Sequence, residues 1–571
     1  MNIYHYDAVV IGTGAAGYNA AIRLKQLGVR VAIVTEGVCC GTSRNTGSDK
    51  QTYYKLSLAG DSPDSVYNMA QNLFDGGCVD GDNALCEAAL SVRCFLRLCE
   101  LGVPFPVNRF GEYIGYKTDH DPYARATSAG PLTSKFMTEA LQKEASSLNI
   151  DVYDGCYVTQ VLKSQGRVCG LLSIRDGEYV AFRCGDIVMA TGGPAGIYAD
   201  SVYPRCHTGA TGLAIKAGAK MQNLALWQYG LASVNPRWNV SGTYMQVLPR
   251  FVSVGEDGVE HDFLWEYFTD KYAGLSLVFL KGYQWPFDPK KAQTGSSLID
   301  LLVHREQVEK KRRVYLDFTQ NPFEIDFQKL SEEAFAYLHK AGATLGTPIE
   351  RLAKMNAPAI ELYKEKGVDL SKEYLEIALC AQHCNGGVGV DMWWQSSVRG
   401  LFAVGECAGT HGIARPGGSA LNAGQVGSLR AAQYIANHPN EPVNESAFSE
   451  LLSHIKMPVF ESVQAQIQAA RRRMSNCAGA VRDVEKMKQA LQEALDGLAR
   501  AEDPRLQDTL ITQAAVLTAM AQPVTAPERV QEVVLTEDGF SVRERAVRPI
   551  PKENSFFENV WRGYREHRNV Y

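Results

Sequence analysis

The sequence predicts an α/β fold in which a discontinuous dinucleotide-binding domain carries an inserted α+β cap domain and a helical C-terminal region. Three observations lead to this prediction. The chain opens with a strand, a glycine-rich turn and a helix. Residues 400–436, late in the chain, again form a strand, a loop and a helix. Beyond about residue 441, apolar residues recur at helical spacing.

The opening stretch, "YDAVVIGTGAAGYNAAIRLKQLGVRVAIVTEG", begins with the apolar run Ala8 to Ile11, which is typical of a parallel strand buried on both faces. Gly12, Gly14 and Gly17 then form the pattern G-x-G-x-x-G. Such glycines allow a tight turn, close approach to a pyrophosphate, and close packing of helix on strand. Glu36 ends the second strand, where an acid binds ribose hydroxyls. The motif predicts a Rossmann-like unit.

Composition excludes several classes of protein. The chain has 571 residues, 45% of them hydrophobic, and a net charge of −5, which argues against a nucleic acid or an anionic membrane as partner. No apolar run reaches the roughly 18 residues of a membrane span, and the N-terminus has no signal-peptide pattern, so we expect a cytoplasmic protein. The 14 cysteines are dispersed without a C-x-x-C pair, and we expect no metal site.

Two later stretches narrow the identity of the dinucleotide. "GDIVMATGGPAGIY" is an apolar strand that ends in Thr-Gly-Gly, and "GLFAVGECAGTHGIARPGGSALNAGQVGSLRAAQYIA" is a strand, a loop and a helix. Together with the first motif, these stretches resemble the flavoprotein superfamily of succinate dehydrogenase, fumarate reductase and aspartate oxidase. The resemblance implies that the dinucleotide is FAD. No second G-x-G-x-x-G is present, so we expect a separate electron donor or acceptor protein, of which an iron–sulfur protein is one candidate.

The resemblance also implies which residues bind the cofactor. Glu36 would bind the adenosine ribose, Val158 the adenine, and Glu406 the ribityl chain. Covalent members of the superfamily tether FAD through a histidine, but the corresponding segment from Cys40 to Lys55 contains none, so we expect noncovalent FAD. The full set of predicted cofactor-binding residues is Gly12, Gly14, Ala15, Ala16, Gly17, Glu36, Ser43, Val158, Thr191, Gly192, Gly193, Gly405, Glu406, Ser419 and Leu421.

The same comparison gives approximate domain boundaries. We expect residues 1–232 to form the first part of the FAD-binding domain and residues 366–440 to complete it. Residues 233–365, rich in aromatics and prolines, would form the cap, and residues 441–571 the helical C-terminal region. The last forty or so residues do not match the usual tail of the superfamily, and their role stays open.

The substrate site departs from the superfamily pattern. Arg415, in "HGIARPGGSAL", falls on the arginine that anchors a substrate carboxylate, a task suited to its planar fork. Gln382 replaces one substrate histidine, and the neighbouring His383 is a candidate acid. Gly230 replaces the second histidine, which predicts free volume there. The proton-delivering arginine, usually found in Pro-Arg-Asp, should lie near residues 295–296, where the chain has Gly-Ser.

The predicted catalytic residues are therefore Arg415, His383 and Gln382, with Tyr116, His120 and Arg125 as further substrate contacts to consider. We expect hydride transfer between flavin N5 and a carbon of a small anionic substrate, such as an α,β-unsaturated carboxylate, and poor activity on fumarate or succinate. Two alternatives remain at this stage. One is an amine or amino-acid oxidase similar to aspartate oxidase, and the other is an electron-transfer component of an iron–sulfur complex.

Overall fold

The computed structural model describes residues 1–60, 63–118, 121–207, 209–457, 460, 462–552 and 555–566. The strands are β1 Asn2–His5, β2 Ala8–Ile11, β3 Val31–Val34, β4 Thr52–Tyr54, β5 Ala126–Ser128, β6 Asp151–Tyr153, β7 Tyr157–Ser164, β8 Arg167–Arg175, β9 Glu178–Arg183, β10 Asp186–Met189, β11 Met221–Gln222, β12 Trp227–Ser233, β13 Trp238–Asn239, β14 Arg250–Val254, β15 Glu260–His261, β16 Arg313–Asp317, β17 Leu375–Cys384, β18 Gly387–Val388, β19 Leu401–Ala403, β20 Arg529–Thr536 and β21 Gly539–Ala546. The helices are α1 Ala15–Gln26, α2 Thr42–Asn45, α3 Val66–Phe74, α4 Gly81–Glu100, α5 Thr133–Ser147, α6 Thr211–Lys216, α7 Thr243–Gln246, α8 Leu264–Tyr267, α9 Lys271–Lys281, α10 Ser297–Val308, α11 Glu332–Lys340, α12 Pro348–Glu365, α13 Ser419–Asn437, α14 Glu445–Ser453, α15 Gln464–Cys477, α16 Val484–Arg500, α17 Pro504–Ala521 and α18 Arg562–Arg565.

A five-stranded parallel sheet, in the order β19-β10-β2-β3-β6, forms the centre of the nucleotide-binding part. Strands β2, β3, β10 and β19 are apolar and buried on both faces, because helices and the mixed sheet β1-β9-β8-β7 cover them, whereas the edge strand β6 is largely exposed. Strand β19 comes from the far end of the chain, after the cap, and pairs with β10. The predicted discontinuous α/β domain is confirmed.

The cap is built on an antiparallel six-stranded sheet, in the order β13-β12-β17-β16-β14-β15, with its own hydrophobic core. Its two long strands, β12 and β17, reach back into the nucleotide-binding part. They pair from Trp227 opposite Cys384 to Ser233 opposite Ile377, with an irregularity between Gln228 and Tyr229. This pairing brings Gln228, Gly230, Gln382 and His383 together.

The C-terminal region begins with helices α14 to α17 and continues into the hairpin β20–β21. The hairpin completes a four-stranded sheet with β18 and β11. Arg545 and Arg548 hold the hairpin to the start of α4 through Asp80, which accepts from both. Among the described residues, no helix is both long enough and apolar enough to cross a membrane.

Candidate active site

A cavity of about 1080 Å³ runs from the carboxyl ends of β2, β3 and β10 to the inner face of the cap. The glycine-rich turn and Glu36 line one end, and Gln382, Arg415 and Trp285 line the other. The cavity therefore joins the predicted cofactor residues to the predicted substrate residues. Ligands of open parallel sheets bind at this edge.

The glycine-rich turn fits a pyrophosphate. Gly12 has φ +108°, and a Cβ there would lie 2.5 Å from the backbone oxygen of Ala190. A Cβ at Gly17 would overlap the backbone oxygen of Gly12, so α1 can approach the turn only because residue 17 is glycine. The first turn of α1 carries no acidic residue and its N-cap Gly14 has no side chain, so the helix N-terminus faces the cavity with only a long bond, 3.4 Å, from the Ala15 N–H to the Ser43 hydroxyl. These features fit FAD.

Most of the predicted cofactor-binding residues line the cavity. Gly17, Gly193 and Ser419 do not; a Cβ at Gly193 would overlap the carboxylate of Glu406, so this glycine makes room for that side chain. Helix α13 begins at Ser419 beside the cavity, again without a side-chain cap. The predicted residues that do line the cavity are Gly12, Gly14, Ala15, Ala16, Glu36, Ser43, Val158, Thr191, Gly192, Gly405, Glu406 and Leu421.

The nucleotide end contains one contact that the sequence did not reveal. Arg505, at the start of α17, forms an ion pair with Glu36 at 2.8 Å, and its guanidinium lies 4.3 Å from the ring centroid of Tyr157. The C-terminal region thus covers the residue predicted to bind the adenosine ribose. No local pattern around Arg505 indicates this role, because the two partners are 469 residues apart.

Arg415 lies at the substrate end. Its Nη2 donates to Oε1 of Gln228 at 2.8 Å, while its Nε is buried without a hydrogen-bond partner. None of the ion pairs formed by the described residues involves Arg415. Burial lowers its pKa to about 10, so the guanidinium is still charged at neutral pH.

The carboxyl groups nearest to Arg415 do not neutralise it. Burial raises the pKa of Glu406 to about 8 and that of Glu87 to about 8, so both groups are mainly protonated at neutral pH. Glu406 also accepts a bond from the backbone N–H of Cys384 at 3.1 Å and one from the Tyr203 hydroxyl. The cavity therefore presents a half-buried cation, with a buried Nε, that has no ionised counter-charge, which favours an anionic ligand.

The expected free volume beside Gly230 is absent, and that prediction was wrong. A Cβ at Gly230 would overlap Nε1 of Trp285 and would lie 2.6 Å from its Cε2. The cap tryptophan thus occupies the place that a strand histidine would take. Gln382 donates through Nε2 to the backbone oxygen of Gly230 at 2.8 Å, and its Oε1 is buried without a partner.

His383 is held in a form that makes it a poor acid. Its Nδ1 lies 3.1 Å from Oδ1 of Asn385, its Nε2 lies 3.7 Å from Oε1 of Glu406, and its ring faces His411 at 5.1 Å. Burial, together with the neighbouring charge of Arg415 and the His411 ring, lowers its pKa far below the usual value. The imidazole is therefore neutral at neutral pH and orients its neighbours rather than offering a ready proton.

The cap segment that lines the cavity precedes residues 295–296, where counting along the sequence placed the proton-delivering arginine. Gly282, Tyr283, Trp285 and Pro286 line the cavity, whereas residues 295–296 do not, because that stretch leads into α10. Residues 282–286 contain no arginine. Neither this segment nor residues 295–296 therefore supplies the proton-delivering arginine of the superfamily pattern.

Of the further candidates on the loop after α4, one lines the cavity and one does not. Tyr116 lines the cavity and shares a hydrogen bond with Thr52 at 2.6 Å. Arg125 does not line it, because its guanidinium is buried in ion pairs with Asp64 at 2.7 Å and Asp121 at 3.1 Å. His120 lies outside the described residues.

The parallel sheet, the glycine-rich turn and the long cavity with a half-buried arginine are those of an FAD-dependent oxidoreductase. Residues 7–421 match the family model described as "FAD binding domain". The match spans well over half of the chain, and the chain belongs to this family.

Known proteins agree with this assignment. The chain is 26% identical over 476 residues to a CoM/CoB fumarate reductase component of Methanothermobacter marburgensis, covering 81% of this chain and 76% of that protein. It is 25% identical over 452 residues to an L-aspartate oxidase of Mesorhizobium japonicum, covering 76% of each. The fold is similar to that of E. coli quinol fumarate reductase, with a TM-score of 0.70, 18% identity, and coverage of 97% and 98% of the two chains.

Proposed function

We propose that this enzyme transfers a hydride between flavin N5 and a carbon of a small organic carboxylate, with an α,β-unsaturated acid as the oxidised substrate. The observation that carries the proposal is the guanidinium of Arg415, which lines the cavity without an ionised counter-charge. A carboxylate would supply that charge and could accept from Nε and Nη together, as planar forks allow.

The chain's own residues position the reacting carbon. Bound FAD supplies two-electron chemistry as a hydride at N5. Gln228 fixes the guanidinium of Arg415 from one side, and Gln382 is fixed by its bond to Gly230, so both side chains are oriented before substrate arrives. Such preorganisation places the substrate double bond without a reorganisation cost.

We propose further that fumarate and succinate are poor substrates. A dicarboxylate needs a second cation or strong donor, and Trp285 and Gln382 provide neither. The other lysines and arginines among the described residues that line the cavity are Lys50 and Lys117, and both are exposed. A desolvated, unpaired second carboxylate would cost several kcal/mol.

An anaerobic reoxidation experiment tests this proposal. Holoenzyme reduced with dithionite is mixed with unsaturated monocarboxylates, with their amides as uncharged controls, and with fumarate. We expect the flavin absorbance to return with a monocarboxylate and not with its amide. Turnover of fumarate or succinate at tens per second, an ordinary enzymatic rate, would contradict the proposal that the site cannot hold a second carboxylate.

An oxidase similar to aspartate oxidase is a second candidate, because several relatives carry the name L-aspartate oxidase. It would be favoured if oxidised enzyme were reduced by an amino acid and then reoxidised by oxygen.

We also propose a separate electron partner, an iron–sulfur protein among the candidates, because the chain has one dinucleotide motif and one relative is named as one of several subunits. If the protein only transferred electrons, the reduced flavin would not be reoxidised by any small substrate in the reoxidation experiment.

A further inference from the structure

The cap contributes an aromatic wall to the substrate end of the cavity. Tyr283, Trp285 and Tyr337 all line the cavity, although they come from the loop after α9 and from α11. Phe279 connects the two tyrosines, with ring centroids 6.0 Å from Tyr283 and 5.4 Å from Tyr337. We call these three residues the aromatic wall; the two tyrosines are packed together through Phe279, and Trp285 lies against Gly230.

Trp285 presents carbon rather than nitrogen to the cavity. Its Nε1 is buried against Gly230 and has no hydrogen-bond partner among the described residues. The side chain as a whole is only half-buried, and it lines the cavity. The surface available to a ligand is therefore the apolar part of the indole ring, which suits stacking rather than binding of a charge.

Strand β12 sets the spacing between Arg415 and this wall. Gln228 accepts from Arg415, and Gly230, two residues further along the same strand, contacts Trp285. Because β12 is irregular between Gln228 and Tyr229, ideal strand spacing does not apply here, but the two contacts place Arg415 and Trp285 beside neighbouring positions of one strand, and both line the cavity. A short carboxylate bound by Arg415 would thus have its tail close to Trp285.

We propose that the substrate is an aryl-substituted unsaturated monocarboxylate, of the 3-arylpropenoate type. Its carboxylate would lie on Arg415 and its ring on Trp285, with the double bond between them. In the reaction, the β-carbon would take a hydride supplied by reduced FAD and the α-carbon would take a proton from solvent water, so that the C=C bond becomes a single bond and an arylpropanoate forms. The separate electron partner re-reduces the cofactor. This inference rests on the proposed function and specifies its substrate class.

The test compares an aromatic with an aliphatic tail. Dithionite-reduced holoenzyme is reoxidised with 3-phenylpropenoate and with crotonate, and binding of 3-phenylpropanoate to oxidised holoenzyme is measured by calorimetry. We expect kcat/KM for the aryl acid to exceed that for crotonate at least about tenfold, from ring burial and stacking. Trp285→Ala should lower this ratio and weaken phenylpropanoate binding, each about tenfold, whereas Trp285→Phe should retain most of both. Trp393→Ala is the matched control, because Trp393 is equally half-buried but packs on Arg430 outside the cavity.

The outcomes separate this inference from the proposed function. Equal efficiencies for the two acids, or a Trp285→Ala variant with an unchanged ratio, would overturn the inference and leave the carboxylate proposal standing. Failure of every carboxylate to reoxidise the flavin or to bind would overturn both. Flavin content and absorbance of each variant show that the fold is retained, and if the alanine variant does not fold, the ratio of the aryl acid to crotonate in the unaltered enzyme still decides the inference.

Discussion

Replacement of Arg415 by glutamine should move activity and stability in opposite directions. The substrate carboxylate would lose a charge-assisted, two-pronged bond in a buried site, worth about 3 kcal/mol or about a hundredfold in kcat/KM. The folded protein, in contrast, would no longer contain a charged group that destabilises it. The fall of the Arg415 pKa from 12.5 to about 10 corresponds to about 3 kcal/mol. Because water in the open cavity screens the charge, we expect the free energy of unfolding to rise by about 1–3 kcal/mol when the charge is removed.

Both quantities are measured on the same protein. Steady-state kcat/KM is determined with an unsaturated monocarboxylate, and the thermal midpoint is determined for substrate-free holoenzyme at neutral pH, where the cost of the charged form is fully present. Arg415→Lys should recover little activity, because a point charge cannot copy the planar fork. A variant that keeps normal turnover would refute the role of Arg415, and so would one whose midpoint falls together with its activity, since that pattern indicates a structural residue.

Three further predictions concern the cofactor and the pH dependence. Acid precipitation should release all of the flavin into the supernatant; fluorescence that stays on the denatured chain would show covalent attachment instead. Arg505→Gln should weaken FAD binding about two- to tenfold, as expected for loss of a partly exposed ion pair and a cation–π contact, whereas Arg472→Gln, which removes an exposed pair with Asp200, should not. Between pH 7 and pH 9 the carboxylate substrate should bind more weakly, because Glu87 and Glu406, each with a pKa raised to about 8, become anionic near Arg415. Glu87→Gln should reduce this alkaline loss, and an unchanged profile in the variant would show that Glu87 does not contribute.

The nucleotide-binding sheet could be predicted because its signals are local. The uniformly apolar run Ala8 to Ile11, the three glycines and Glu36 lie within one short segment, and each reports directly on burial or backbone geometry. Arg415 could be located for a similar reason, since its loop is a recognisable stretch beside α13.

The second half of the site could not be predicted, because it depends on which cap residue falls opposite Gly230. That is decided by the path of the chain between α9 and α10, which has no periodic pattern. In the sequence alone, Gly230 indicates free volume beside the strand, whereas in the structure Trp285 fills this volume.

The terminal hairpin was missed for another physical reason. Strand β20 lies between β11 and β21, and Val530 to Val533 are all buried. Polar and apolar residues therefore do not alternate along it as they would in a strand with one face in water.

The contact between Arg505 and Glu36 joins two segments that lie 469 residues apart in the sequence. During synthesis, α17 leaves the ribosome long after the glycine-rich turn, so the adenosine end of the cavity acquires this cover late. A chain that ends before α17 would present the nucleotide edge of its sheet to solvent.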